Sequence, residues 1–357
     1  MRLMLYTRRF ILYLSGLFIV SHFFLRCNSR IRLPFFTSQN KKITPQEFTN
    51  PYRDNEKSLV SIVGGEDIRL MIREAVSLIG GFDKIDIKGK LVLVKPNIVT
   101  GDSNPTTTNP EVVGAVVRLL HEKGAQRVIV GDMWDMSGLM TFSTAWNMKK
   151  TGIREAAEEA GAEVVCFEDY PWLEVELLNT KYIKNISISE WIHKADRIIN
   201  LPVIKTHKYA TYSISLKNFI GATHWKQRPY FVDRDHWEEV ISEINQAYTP
   251  HLNIIDGTTS MITGGPRSGM TVKTNIILVS GDRIAADITG LGIIKSFGKC
   301  PEIVNKGVWE QRQIKRAVEM GLGAGKGQIA LKDKALNGYN NTFHDLVRKI
   351  KEYIEVI

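Results

Sequence analysis

From residue 59 onward the chain alternates short apolar runs with segments whose apolar residues recur at helical spacing. Continuous apolar runs are typical of strands buried on both faces, and their alternation with helices is typical of βαβ units. The predicted strands begin near Leu59, Lys90, Arg127, Ala162, Asp196, His251 and Thr274. The pattern therefore predicts an α/β fold with a mostly parallel sheet and helices on both of its faces.

Helix signals separate these strands. Asn109 is expected to cap a helix that has Pro110 at its first position and stops at Gly124, because these residue types are favoured at those places. Further helices are predicted over 66–79, 151–160, 237–247, 283–294, 308–320 and 342–353. The chain shows no strict repeat. One domain over 58–357, or two lobes over about 58–195 and 196–357 that share a cleft, both fit.

The N-terminal end has a different pattern. Arg8 and Arg9 precede an apolar stretch over 10–25, which is shorter than the ~20 residues that comfortably cross a bilayer. The arginine pair also resembles a twin-arginine export signal. We expect residues 1–26 to be a signal or membrane-anchor segment and 27–57 to be a polar linker. This predicts an exported or membrane-anchored protein of a bacterial cell envelope, with the N-terminal segment contacting the membrane.

Charge and cysteine content argue against two classes of function. Eight basic and no acidic residues lie in the first 42 positions, so the remaining chain carries only +1 of the total net charge of +9. No basic stripe remains there, and we expect no nucleic-acid partner. The three cysteines, Cys27, Cys166 and Cys300, show no CxxC spacing. A cysteine-ligated iron–sulfur cluster is therefore not expected.

Four predicted strands are followed at their carboxyl ends by charged residues: Lys95, Asp132, Lys205 and Asp256. In open α/β sheets, ligands bind in the crevice outside the carboxyl ends of the strands. The segment 106–110 adds hydroxyl and backbone N–H groups at a helix N-terminus, where anions are stabilised. We expect one shared site for a small anionic ligand, a carboxylate or a phosphate. The alternative is that these strand ends are polar simply because they lie at the protein surface.

The candidate catalytic residues are two of these side chains, Lys205 and Asp256, and His207, which lies two residues beyond Lys205. Lys205 would bind negative charge, and His207 would transfer protons because imidazole titrates near neutrality. Asp256 would orient a lysine side chain or ligate a divalent metal ion. The cofactor is left open, and Asp132, Asp256 and His207 are the candidate ligands if a divalent metal ion binds.

A set of motifs resembles one known family. The segments VKPN, TTTNPEVV, NLPVIKTH, SLKNFIGA, IDGTTSM and GGP, spread over about 61–323, look like domain of unknown function 362. Many members carry a twin-arginine leader, which agrees with the N-terminal pattern. Some also carry a ferredoxin-type cysteine module, which this chain lacks. The resemblance implies site positions but no particular reaction. Beyond the strand-end residues already named, the resemblance implies four further site positions: Asn97, Lys217, Asn218 and Asp287.

The ligand-binding set is completed by short polar side chains and by glycines that permit close backbone approach. The additional positions are Thr107, Thr108, Ser215, Gly221 and Gly265. Three functions remain open on these residues. The chain is an enzyme acting on a small anion, a binding protein that captures such an anion without chemistry, or a redox accessory protein without its own cluster.

Overall fold

Strands from both halves of the chain join one sheet. The computed structural model describes residues 38–45, 47–135, 143–337 and 341–355, so the predicted signal or anchor segment over 1–26 lies outside the described residues. The described strands are β1 Ser38–Ile43, β2 Arg53–Asp54, β3 Lys57–Gly64, β4 Leu91–Pro96, β5 Arg127–Asp132, β6 Glu163–Cys166, β7 Trp172–Glu176, β8 Asn185–Ser189, β9 Arg197–Leu201, β10 Val203–His207, β11 Thr211–Ser213, β12 Leu252–Met261, β13 Thr271–Ser280 and β14 Ile329–Ala335.

Helices connect most of these strands. They are α1 Ile68–Leu78, α2 Pro110–Glu122, α3 Thr144–Lys150, α4 Ile153–Glu159, α5 Glu190–Lys194, α6 Ser215–Asn218, α7 Pro229–Val232, α8 Trp237–Ile244, α9 Arg283–Ser296, α10 Pro301–Val304, α11 Arg312–Glu319 and α12 Asn341–Ile354. The predicted cap of α2 is confirmed, since the Glu111 backbone N–H donates to the Asn109 side chain. Among the described residues, no helix is both long and apolar enough to cross a membrane.

The main sheet has the strand order β14-β3-β13-β12-β9-β4-β5-β6, and β2, β10 and β11 attach beside this path. The pairs from β12 through β9, β4 and β5 to β6 are parallel, as is β14 with β3. The α/β prediction is confirmed. The parallel arrangement holds only in part, because β13 runs antiparallel to both β12 and β3. A short loop over 262–270 joins β12 to β13, and such a short connection requires antiparallel strands.

Alternate residues of a strand are buried on opposite faces of the sheet. Val92 and Val94 of β4 pack in one apolar cluster with α1, α2 and α4, whereas Leu93 packs in another with β7 and β8. A third cluster lies between the sheet and helices α9, α11 and α12. Helices therefore cover both faces, as the continuous apolar strands predict.

The segment predicted as one strand over 196–205 is two strands. Proline has no N–H to donate to a sheet, and the chain breaks at Pro202 between β9 and β10. β9 stays between β4 and β12, while β10 pairs with the later part of β12 and with β11. The break carries Lys205 and His207 beyond the end of β9.

The folded part begins within the predicted linker. β1 pairs with β7, β2 pairs with β3, and Tyr52 is completely buried. The Tyr52 hydroxyl also donates to the Gly81 carbonyl. Residues ahead of 58 thus contribute core contacts.

Asp282 is the N-cap of α9 and also a tertiary anchor. Its Oδ1 accepts the backbone N–H groups of Ile284 and Ala285 at 2.9 and 3.0 Å. Its Oδ2 accepts the Ser58 hydroxyl at 2.8 Å and the Ala324 N–H at 2.7 Å. One buried carboxylate therefore holds α9, β3 and the loop after α11.

Replacing this anchor should cost more than replacing an ordinary cap. We expect Asp282→Ala to lower the free energy of unfolding by about 3 kcal/mol, because a cap is removed and buried donors are left unsatisfied. Asp67→Ala, at the exposed cap of α1 where one N–H is satisfied, should cost about 1 kcal/mol. Urea unfolding of the two variants measures this difference. Equal losses would contradict the anchoring role.

Candidate functional site

A buried ion pair joins the carboxyl ends of β4 and β5. Lys95 Nζ lies 2.8 Å from Asp132 Oδ1, and both residues are 1% exposed. Asp132 also accepts the backbone N–H groups of Ile98 at 2.7 Å and Met133 at 2.9 Å. Burial lowers the pKa of Lys95 and raises that of Asp132, while their mutual attraction opposes both shifts. Asp132 thereby fixes the turn that follows β4.

Gly221 lies directly against this ion pair. A Cβ atom at this position would lie 2.0 Å from Asp132 Oδ1 and 2.8 Å from Lys95 Nζ. No larger residue fits without displacing one of the two charges. The close backbone approach expected at Gly221 is present, and its partner is the protein's own ion pair.

Asn218 links the ion pair to a chain of buried amides. Its Oδ1 accepts Asn97 Nδ2 at 3.0 Å and Lys95 Nζ at 3.5 Å. Its Nδ2 donates to the Lys95 carbonyl at 3.1 Å and to Asn200 Oδ1 at 2.8 Å. Asn200 Nδ2 continues the chain to Asn253 Oδ1 at 3.0 Å. The amide chain therefore runs from β4 across β9 to β12.

Sequence reasoning missed two members of this chain. Asn200 and Asn253 are fully buried on neighbouring strands and pair in register. The available signal was a single amide inside each of two otherwise apolar strand segments, INL and LNI. A buried amide needs partners, so such interruptions point to a buried network.

Lys205 is buried without a carboxylate partner. Its Nζ donates to Asn97 Oδ1 at 2.7 Å and to the Thr106 carbonyl at 2.7 Å, and it makes no ion pair among the described residues. The residue is 1% exposed. Burial, with a further contribution from Lys217, lowers the pKa of Lys205 well below its usual value. The Lys205 side chain is therefore held by neutral acceptors.

Lys217, on α6, is partly exposed and also lacks a partner. Among the described residues its ammonium makes no hydrogen bond or ion pair. Burial lowers the pKa of Lys217 to about 8; Asp135 raises it, while Arg228 and Lys95 lower it. The group is thus near its titration point at neutral pH.

Arg228 completes the positive charge and was not predicted. Its guanidinium donates to the carbonyls of Trp134 at 2.9 Å and Met133 at 3.3 Å, and it lies 4.0 Å from Asp135. Its buried Nε has no hydrogen-bond partner among the described residues. We call Lys95, Lys205, Lys217 and Arg228 the cation cluster. The local sequence does not mark Arg228 as buried, because it follows a mostly polar run, THWKQ, that is typical of the protein surface.

His207 is held as a neutral imidazole. Its Nδ1 accepts the backbone N–H groups of Tyr209 at 3.1 Å and Ala210 at 3.2 Å, which places the ring proton on Nε2. Burial lowers the pKa of His207 well below its usual value, and Lys217 and Lys205 act in the same direction. This geometry suits a hydrogen-bond donor near neutrality better than a proton acceptor.

Asp256 occupies the anion position at the N-terminus of α2. Its Oδ2 accepts the Asn109 N–H and Asn104 Nδ2, both at 2.8 Å. Its Oδ1 accepts the Thr258 N–H at 3.0 Å and hydroxyl at 2.7 Å. Four donors thus satisfy this buried carboxylate. The geometry gives Asp256 the role of fixing the loop ahead of α2 on β12.

The threonines of that loop make internal hydrogen bonds. The Thr107 hydroxyl donates to the Thr100 carbonyl at 3.1 Å. The Thr108 hydroxyl donates to the Leu201 carbonyl at 2.9 Å and accepts the Asn97 N–H at 2.8 Å. These bonds position the Thr106 carbonyl and Asn97, which hold Lys205.

Two further predicted residues position α6. Asp287 of α9 accepts the backbone N–H groups of Ser215 at 2.6 Å and Leu216 at 3.2 Å, and burial raises the pKa of Asp287 to about 8. The Ser215 hydroxyl donates to Asn253 at 2.6 Å. The start of α6, which carries Lys217, is thereby fixed from both sides.

Gly265 packs against the backbone of β10. It has φ +83°, and a Cβ atom there would lie 1.9 Å from the Thr206 carbonyl oxygen. Its own carbonyl accepts the Lys208 N–H at 3.2 Å. Gly265 therefore supports the strand that carries Lys205.

The structure separates the predicted residues into two groups. Lys95, Asn97, Asp132, Lys205, Lys217, Asn218 and Gly221 meet around the cation cluster, with His207 beside Lys205. Thr107, Thr108, Ser215, Asp256, Gly265 and Asp287 hold the surrounding backbone. Within the described residues no group of three or more His, Cys, Asp or Glu side chains could hold a metal ion.

A cavity of about 480 Å³ lies away from the cation cluster. It is lined by parts of 47–58, 281–283 and 321–328, near the start of β3 and the end of β13. Its buried charged residues, Asp282 and Arg283, are satisfied by the protein's own groups. We therefore place the candidate site at the cation cluster, where Lys217 and Arg228 Nε have no hydrogen-bond partner within the described part of the chain.

Two solved structures resemble this chain weakly. The lactate racemase apoprotein from Thermoanaerobacterium thermosaccharolyticum is 12% identical, with 83% of this chain and 87% of that chain covered and a TM-score of 0.39. A Thermotoga maritima protein is 14% identical, with 61% of this chain and 56% of that chain covered and a TM-score of 0.37. At these scores neither likeness carries an argument about the site.

Sequence comparison is more specific. A thylakoid-associated protein of Synechocystis is 27% identical over 236 residues, which cover 63% of this chain and 69% of that protein. The sequence profile of Domain of unknown function (DUF362) matches residues 92–292. That range is more than half of the chain and contains all four members of the cation cluster. The chain belongs to the DUF362 family.

Proposed function

We propose that this protein is an enzyme that binds a small anionic substrate, a carboxylate or a phosphate, at the cation cluster and uses Lys205 as its reactive group. The observation that carries the proposal is the distribution of buried charge. Lys95 is paired with Asp132, and Arg228 lies near Asp135 and Glu168. Lys205 and Lys217 have no carboxylate in ion-pair contact among the described residues.

The Lys217 ammonium is partly exposed and has no compensating carboxylate in contact among the described residues, so a bound anion would supply the missing negative charge. Lys217 and the unpartnered Nε of Arg228 offer donors to such an anion. Charge-assisted hydrogen bonds to carboxylates and phosphates are among the stronger polar contacts in proteins. An anion at this point would also stabilise the charged form of Lys217.

The geometry around Lys205 supports a chemical role. A neutral amine has two N–H groups and one lone pair, and Lys205 has two acceptors, Asn97 Oδ1 and the Thr106 carbonyl. Both N–H groups are used, which leaves the lone pair free. Burial lowers the pKa of Lys205 well below its usual value, which favours the neutral form. A lysine of this kind is suited to accept a proton or attack an electrophile.

We also propose that residues 1–26 attach the protein to a membrane. The support is the arginine pair ahead of a short apolar stretch, together with the relative described as thylakoid-associated. The polar residues that follow would separate the attachment from the folded part.

Anion binding should depend on Lys217. We expect sulfate or malonate to raise the melting temperature of the protein, and Lys217→Gln to weaken the anion roughly tenfold or more, because a charged donor is lost. The matched control is Lys208→Gln, since Lys208 is exposed beside the site. Thermal shift over a series of anion concentrations measures the affinity of each variant. Equal affinity in the two variants would refute the proposed site.

Anion affinity should also fall as the pH rises through about 8. In the free protein Lys217 has a pKa of about 8, and only its ammonium form attracts the anion. Affinity should therefore be steady below this pH and decline above it, by at most about tenfold per pH unit. The charged groups that face Lys217 are Lys95, Lys205, Asp135 and Arg228.

Sulfate is the probe for this profile because its own charge stays constant. Calorimetric titrations of the original protein and of Lys217→Gln give the comparison. The variant should bind weakly with no step near pH 8. A step of equal size in both proteins would assign the titration to another group.

Membrane attachment should require the N-terminal segment. After expression in a bacterium, we expect the complete chain to stay with membranes through a carbonate wash, whereas a chain that begins at residue 27 should remain in the soluble fraction. The physical reason is that the apolar residues over 10–25 are removed in the shorter chain. Immunoblots of the fractions measure this. Identical fractionation of the two chains would contradict the proposal.

A further inference from the structure

The environment of Lys205 differs from that of Lys95 in one chemical respect. Lys95 Nζ contacts the Asp132 carboxylate at 2.8 Å, which favours the ammonium form. Within the described ranges, Lys205 Nζ donates only to an amide oxygen and a backbone carbonyl. An ammonium at this position would have a third N–H without an acceptor among the described residues. The site is therefore built for the neutral amine.

The amide that faces Lys205 is fixed in orientation. Asn97 Nδ2 donates to Asn218 Oδ1 at 3.0 Å, so Asn97 Oδ1 is the atom directed at Lys205. Asn218 is itself fixed, because its Nδ2 donates to the Lys95 carbonyl and to Asn200 Oδ1. The network presents an acceptor, and not a donor, to the amine. Among the described residues, no donor uses the lone pair of Lys205.

We propose that Lys205 is a nucleophile that forms an imine with the carbonyl carbon of a substrate that also carries a carboxylate or phosphate group. The inference rests on the proposed function, because the neighbouring Lys217 and Arg228 would hold the anionic group. It goes further by naming an oxo acid or a phosphorylated carbonyl compound as the substrate class.

The reaction balances without a redox partner. The Lys205 lone pair attacks the carbonyl carbon, a C–N bond forms, and the carbonyl π electrons move to oxygen, which takes a proton. The nitrogen then loses a proton, a second proton reaches the hydroxyl, the C–O bond breaks to release water, and the resulting iminium loses its remaining N–H proton. In sum, the two protons of the amine have been replaced on nitrogen by the bond to carbon, and the oxygen has gained two protons. Amine and carbonyl compound become imine and water.

Reductive trapping tests this chemistry on the complete protein. Pyruvate or glyoxylate is added with sodium cyanoborohydride near neutral pH, and intact mass and peptide mapping locate the reduced adduct. We expect one adduct per chain, on the peptide that contains Lys205. Lys205→Arg should abolish it, whereas Lys208→Arg, at an exposed neighbouring lysine, should leave it unchanged.

A second variant guards against a folding defect in Lys205→Arg. Asn97→Asp keeps the size of the side chain but places a carboxylate where Oδ1 now lies 2.7 Å from Lys205. That charge should hold Lys205 as an ammonium, reduce the trapping rate roughly tenfold or more, and shift its pH profile upward. Unchanged trapping in this variant would overturn the inference.

The sulfate titration separates the two proposals. If sulfate stabilises the protein through Lys217 but no Lys205 adduct forms, the anion site stands and the imine inference is refuted. If a Lys205 adduct forms and Lys217→Gln does not weaken sulfate, the nucleophile stands and the assigned anion site is wrong. Adducts spread over exposed lysines, unaffected by Lys205→Arg, would also refute the inference.

Discussion

The buried ion pair between Lys95 and Asp132 is the interaction on which the geometry of this sheet edge depends. Removing one partner of such a pair typically costs about 3–5 kcal/mol, because the other charge stays buried. The pair joins β4 to β5, and Asp132 also fixes the turn at Ile98. Gly221 touches both charges, so the segment after α6 can approach only as glycine. The positions of Asn97 and Asn218 follow from that approach.

The remaining lysines are defined by contrast with this pair. Lys205 is equally buried but faces neutral acceptors, and Lys217 has no partner among the described residues. One lysine is therefore compensated and two are not. A structural ammonium, Lys95, and a proposed reactive amine, Lys205, lie side by side, and they differ in whether a carboxylate contacts them. Asp256 and Asp287, both buried, accept hydrogen bonds from backbone N–H groups, and Asp256 also from two side chains; neither makes an ion pair with Lys205 or Lys217.

Several predicted roles change once the contacts are known. The hydroxyls of Thr107 and Thr108 bond to the chain itself, and the helix N-terminus expected to receive an external anion receives Asp256. His207 accepts two backbone N–H groups, which fixes its tautomer. These residues shape the loop and strand around Lys205. Fewer of the predicted residues therefore lie at the candidate site itself, and more of them hold the backbone around it.

The amino-acid sequence alone determined the α/β class, most strands and helices, and the strand ends at which polar groups gather. Local physics is sufficient for these features, because continuous apolar runs, caps and glycine stops act over a few residues. Tertiary structure decided the break at Pro202, the reversal of β13 and the recruitment of Arg228 from a polar stretch. It also decided that Lys95 has a carboxylate and Lys205 does not. Which side chain pairs with a given lysine depends on which segments meet in space, and this cannot be predicted from the residues next to that lysine in the sequence.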